Sequence, residues 1–188
     1  MTNEPERSRR KFTGPWDEIK YLRGKLLHWF YERGDRRRAR EICRRLAPLL
    51  KKVANDRESI LRQECWSIVY EVREDFDKAI EHRRREIELM KMLLDEAERS
   101  PQKSEILKWC DYSDLSDRLD LLAILYRDAG DLDKAIDTLE DSKRLCRQHR
   151  IKFDAQDMLD DYLAERASPA IPLLPVRPAV IEHGASAK

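Results

Sequence analysis

The stretch LDLLAILYRDAGDLDKAIDTL, residues 119–139, carries the pattern that decides the fold. Leu119, Leu122, Ala123 and Tyr126 recur at helical spacing, and Ala135, Ile136 and Leu139 resume it after a break at Gly130-Asp131. Glycine reaches the left-handed conformation of a helix C-cap without strain, and the following aspartate can cap the next helix through its carboxylate. Tyr126 lies four residues before the break, and Ala135 lies five after its first residue. The aromatic ring fills the space between two paired helices. The alanine lets their backbones cross where a larger side chain would clash.

Two earlier stretches repeat this arrangement. Phe30, Gly34-Asp35 and Ala39 form one copy, and Tyr70, Glu74-Asp75 and Ala79 form the other. Around them the periodicity predicts seven helices. The first opens at Pro15-Trp16 with Ile19, Leu22, Leu26, Trp29 and Phe30 inside, and the second carries Ala39, Ile42, Cys43 and Leu46. Pro48 is expected to kink or end the second helix, since proline removes a donor and clashes one turn back. A third helix follows the break at Asn55-Asp56, and a fourth runs from Phe76 to just before Ser100-Pro101. Residues 100–113 read as a connector, with a short helix around 105–109 and Trp109 and Tyr112 as pins. The fifth helix starts at Ser113 or Asp114, the sixth follows Gly130-Asp131, and the seventh starts near Asp154.

On these residues the chain resembles the tetratricopeptide repeat family, whose unit is a helix-turn-helix of about 34 residues with fixed large and small positions. The third hairpin matches at Leu119, Leu122, Ala123, Tyr126, Gly130, Asp131, Ala135 and Leu139. The first matches at Leu26, Phe30, Gly34, Asp35 and Ala39, and the second at Trp66, Tyr70, Asp75 and Ala79, with Ser67 at a small position. The departures are Glu74 at the turn glycine, Arg83 at a usually apolar position, and alanine-to-alanine intervals of 40 and 56 residues. The resemblance implies an all-α fold: an α-α superhelix of about three stacked helical hairpins with the seventh helix as a solvating cap. The expected organisation is a flexible arm at 1–14, a repeat domain at 15–166 and a proline-rich disordered tail at 167–188.

Composition agrees with helices that have wet outer faces. Charged residues make up 40% of the chain against a usual share of roughly 25%, and there are only five glycines in 188 residues. Lys+Arg of 38 against Asp+Glu of 37 gives a net charge of +1, so overall charge points to neither nucleic acid nor membrane. Cys43, Cys65, Cys110 and Cys146 form no Cys-x-x-Cys pair and sit in apolar helical contexts, as buried reduced thiols of a cytoplasmic protein would. No apolar run reaches the length of a membrane span.

Proteins of this family bind an extended or helical segment along the face made by the first helix of each hairpin. Carried over by position, that face is Tyr21, His28 and Tyr31, then Glu64, Ile68 and Glu71, then Asp117, Asp120, Ile124 and Arg127. It lacks the Lys, Arg and Asn set with which some members hold a C-terminal carboxylate. It suits a basic or mixed segment with one or two apolar anchors, and the plain alternative is an ordinary solvated face.

Other motifs weigh less. The run Arg36, Arg37, Arg38, Arg40, Arg44, Arg45 and the cluster Arg83, Arg84, Arg85 could neutralise phosphates, but helical spacing spreads them, and Glu41, Glu81 and Glu86 can pair with them. His28 and Cys146-x-x-His149 lack sequence partners for catalysis or metal binding. Pro169, Pro172, Pro175 and Pro178 fall at a step of three, on one edge of a polyproline helix, and Pro172–Arg177 has a form that some SH3 domains read; a plain linker is the simpler account. The sequence therefore leads to a cytoplasmic protein-binding scaffold with no catalytic residue, cofactor or metal. Its expected partner is another protein. The rivals are self-association and nucleic-acid binding through arginines.

Overall fold

The computed structural model describes residues 12–53, 59–101, 107 and 110–168. These residues form an all-helical protein with no strand among them. The helices are α1 (Pro15–Leu27), α2 (Arg36–Lys52), α3 (Ser59–Val72), α4 (Phe76–Arg99), α5 (Tyr112–Asp128), α6 (Leu132–His149) and α7 (Gln156–Ala167). Close packing runs between chain neighbours: α1 on α2, α2 on α3, and so on to α6 on α7.

The three breaks explain this pairing. Gly34 and Gly130 adopt φ of 63° and 86°, and Glu74 adopts φ of 61° at the corresponding place. A left-handed residue at each site reverses the chain, although Glu74 does so with a Cβ that glycine lacks. After the turn, Asp35 and Asp131 accept hydrogen bonds from the Arg38 and Lys134 amides at 3.0 and 3.2 Å. These bonds satisfy donors that a helix start leaves open.

The first break differs in register. The Asp75 and Asp131 amides donate back to the Tyr70 and Tyr126 carbonyls, five residues earlier, but the Asp35 amide reaches Trp29, six residues earlier. The cause is a π-helical turn at His28–Glu32, which widens the last turn by one residue.

The small positions are in place. Ala39, Ala79 and Ala135 are fully buried, and the Ser67 hydroxyl donates to the Ala79 carbonyl at 2.9 Å across the α3–α4 contact. Two backbones come this near only where both side chains are small. The core falls into three apolar clusters. The first joins α1, α2 and α3 around Leu22, Leu46 and Val69. The second joins α4 and α5 around Met90, Leu94 and Leu119. The third joins α5, α6 and α7 around Ala123, Leu139 and Leu159. Full burial of one such leucine is worth about 1.5–3 kcal/mol.

Pro48 does not end α2, which runs on to Lys52. The proline ring lies on the exposed side, where the carbonyl it orphans one turn back can turn to water. The N-cap of α5 is Asp111 rather than Ser113 or Asp114, with a capping box in which Asp111 and Asp114 each accept from the other's backbone amide. Helix α7 starts at Gln156, two residues later than Asp154. The expected break at Asn55-Asp56, the short helix at 105–109 with Trp109, the arm before Phe12 and the tail after Ser168 lie outside the described residues.

Candidate interaction face

The first helices of the three pairs, α1, α3 and α5, are tied together by ionised side chains. Arg23 on α1 donates Nε and Nη2 to the two carboxylate oxygens of Glu64 on α3, at 2.7 and 2.6 Å. This fork is the strong geometry for an arginine–carboxylate pair. Arg118 on α5 brings Nη2 within 3.3 Å of the same Glu64 and Nε within 2.8 Å of Glu86 on α4. The second approach is close in distance but not aligned as a hydrogen bond. Glu86 also accepts from Arg83 Nη1 at 2.6 Å. Glu64 is thus the joint at which all three helix pairs meet.

Most of this network is out of water. Arg83 and Glu86 are fully buried and Glu64 is 4% exposed, while Arg23 and Arg118 keep about a quarter of their side chains in solvent. Three cations face two carboxylates, and Arg83 keeps Nε and Nη2 without a hydrogen-bond partner. The positive charge of Arg83 is felt by Glu71, about two helix turns beyond Glu64 on α3. Burial raises the Glu71 carboxyl above its ordinary value; the Tyr31 hydroxyl and the Arg83 charge pull it back. Burial likewise pushes the Glu86 carboxyl up to about 6, against the pull of Arg83 and Arg118.

The ten positions expected to form the binding face divide three ways. Glu64 and Ile68 are buried and present no surface; Ile68 belongs to the first core cluster. Tyr21 is half-buried against that cluster, with the Lys25 ammonium 4.9 Å from its ring centre. His28 is turned to Glu32 at 2.7 Å. Tyr31 is 41% exposed, and its hydroxyl donates to Glu71 at 2.6 Å, so the ring lies as a strap from the π turn onto α3.

On α5 the picture is open. Asp117 is exposed, and its carboxyl is raised by partial burial and by Asp114, Asp154 and Asp111 around it, against the pull of Arg118. Asp120 and Ile124 are half-buried, and one oxygen of Asp120 has no hydrogen-bond partner. Burial raises the Asp120 carboxyl, opposed by a hydrogen bond from Ser142. Ser142 belongs to a buried polar contact in which Ser116 lies 2.9 Å from Ser142 and 3.0 Å from the Cys146 sulfur. Arg127 is exposed and reaches Glu165 of α7 at 3.5 Å.

Sequence reasoning marked Glu64 as surface and left Arg23 and Arg118 unmarked. The one visible signal was Arg83 at an apolar position, with Glu86 three residues on. All four cysteines are free and buried; burial pushes Cys43 and Cys110 up to about 11, which keeps them as thiols. Among the described residues no group of His, Cys, Asp and Glu is placed to hold a metal ion, and no helix is long and apolar enough to cross a membrane. Two open depressions lie elsewhere, one of about 550 Å³ beside His82 on α4 and one of about 480 Å³ at the Gly130 turn, and neither contains any of the ten positions. No protein-family model, curated protein or solved structure matches the chain.

Proposed function

We propose that the chain is a scaffold of the tetratricopeptide type that binds a peptide or helical segment of another protein along the face of α1, α3 and α5. The observation that carries this reading is the ion-pair chain from Arg23 through Glu64 to Arg118. It fixes the three first helices from beneath, so the side chains above them are set before a partner arrives and less order is lost on binding. Tyr31 offers an exposed aromatic surface; Ile124 offers an apolar one; Asp117, beside Arg118, and Asp120, bonded to Ser142, add carboxylates. A segment with a Lys or Arg spaced from an apolar anchor fits this face. The reading assigns the protein no reaction and no cofactor and has it act in the cytoplasm.

Affinity capture from a cell extract with the intact chain, compared with Tyr31→Ala and Asp117→Lys, tests the proposal. Both variants remove outward groups and leave the buried network alone. A partner retained by the parent chain and lost from both folded variants supports the face. Equal capture by all three, with helicity unchanged, would sink it.

A further inference from the structure

The net charge of +1 hides a strong polarity along the chain. Residues 12–53 hold twelve Lys and Arg against five Asp and Glu, whereas residues 110–168 hold nine against fifteen. The fold concentrates both excesses on helix faces. The solvent side of α2 carries Arg36, Arg37, Arg38, Arg40, Arg44, Arg45, Lys51 and Lys52, with Glu41 as its only acid. Some of these have carboxylates nearby: Arg36 and Arg40 share Glu74, Arg38 has Asp35, and Arg45 has Glu18. Arg37 is 91% exposed and only 3.9 Å from Glu41.

At the other end of the chain, α7 packs on α6 and turns Asp157, Asp160, Asp161 and Glu165 outward. Asp157, Asp161 and Glu165 recur every four residues, and Arg37, Arg40 and Arg44 every three to four. Two helices with this shared period can lie together with opposite charges facing along about two turns.

We propose that α2 of one copy docks against α7 of a second copy, so that chains associate head to tail through the basic and acidic faces. Charge favours a second copy over the other occupants. The segments outside the described residues carry nine Lys and Arg against six Asp and Glu, so the chain's own remainder does not supply an acidic cover for α2. A long nucleic acid laid on α2 would meet net negative charge over residues 59–168, which repels a polyanion. A second copy brings both charges in the right order. The two faces are different surfaces, so the contact is heterologous and each bound copy leaves one face of each kind open. The proposal does not rest on the binding face of α1, α3 and α5, which uses none of these residues.

Sedimentation of the intact protein from about 5 to about 500 µM tests it by mass action. At roughly 0.05 M salt the average mass should rise above 22.4 kDa with concentration. At about 1 M salt, where screening acts within roughly 3 Å, it should return to one chain. Arg37→Glu with Arg44→Glu should stay a single chain, and so should Asp157→Lys with Asp161→Lys. Mixed one to one, the two variants should associate again, since each carries the charges that complement the other's reversed face. Circular dichroism should show all proteins equally helical. A parent chain that remains single at every concentration overturns the proposal. Association that survives both pairs of reversals also overturns it, as does a single chain that binds an oligonucleotide through Arg37 and Arg44.

Discussion

Two seams of this molecule hold helices together by opposite means. Between α5, α6 and α7, Ala123, Ala135, Ile136, Leu139 and Leu159 make an apolar seam, with one buried serine pair beside it. Between α3, α4 and α5, the seam passes through Glu64, Arg83, Glu86 and Arg118. The apolar seam gains from removing hydrocarbon from water and asks little of geometry. The charged seam starts from a large desolvation cost, offset only while each carboxylate keeps its cations. The contrast bears on the proposed binding face: an apolar seam adapts to small shifts, and a charged one holds its helices in a single register.

The largest effect should come from taking one partner out of the charged seam. Glu86→Leu takes away the carboxylate to which buried Arg83 donates and leaves Arg118 with Glu64, and should cost about 3–5 kcal/mol in urea unfolding. Arg83→Met should cost clearly less, because Glu86 keeps Arg118 and two orphaned donors disappear with the arginine. If the two substitutions cost the same, the network is not balanced as described. In the apolar seam, Leu139→Ala should cost about 2–5 kcal/mol through a cavity, with no dependence on salt or pH.

Acidity separates the seams further. The folded carboxyl of Glu86 stands at about 6, above its ordinary 4.5, so the folded state holds that proton more tightly than the unfolded chain. Its contribution is fully present below 4.5 and is lost as pH rises through 6. The whole effect is about 2 kcal/mol, of which about half should appear between pH 7 and pH 5. Urea midpoints of the parent chain should therefore rise across that interval relative to those of Glu86→Gln. A parallel pair of curves would show that Glu86 titrates normally.

The smallest effect concerns a turn. Glu74 pays the left-handed cost that Gly34 and Gly130 avoid. Glu74→Gly should stabilise the protein by about 0.5 kcal/mol, since relief of roughly 1–2 kcal/mol exceeds the added freedom of the unfolded chain. Gly34→Ala should lower the melting temperature.

The apolar seam was legible in the sequence and the charged one was not. Helical periodicity, the three alanines, the aromatics and the Gly-Asp turns are local signals, each decided within a few residues. They placed every helix body, and Glu74 took the glycine's conformation as its position implied. The Arg23–Glu64 fork joins residues 41 apart, and Arg118 meets Glu64 only when three helix pairs are stacked. A charged residue on a helix reads as solvated until its partner is in place, so Glu64 was read as surface. The π turn was invisible for a related reason: its one-residue widening lies in the hydrogen bonds of the Trp29 carbonyl and leaves the spacing of side-chain types nearly unchanged. Pro48 lies within α2 without ending it, because a proline's effect depends on which side of the helix it faces.

The most direct test of the account is a double-mutant cycle on Arg23 and Glu64, measured by urea unfolding of the parent chain, Arg23→Met, Glu64→Gln and the double variant. The fork between α1 and α3 predicts a coupling of about 1–3 kcal/mol. Costs that simply add, to within about 0.5 kcal/mol, would mean that the two helices are not latched there and that the face above them is not held in advance.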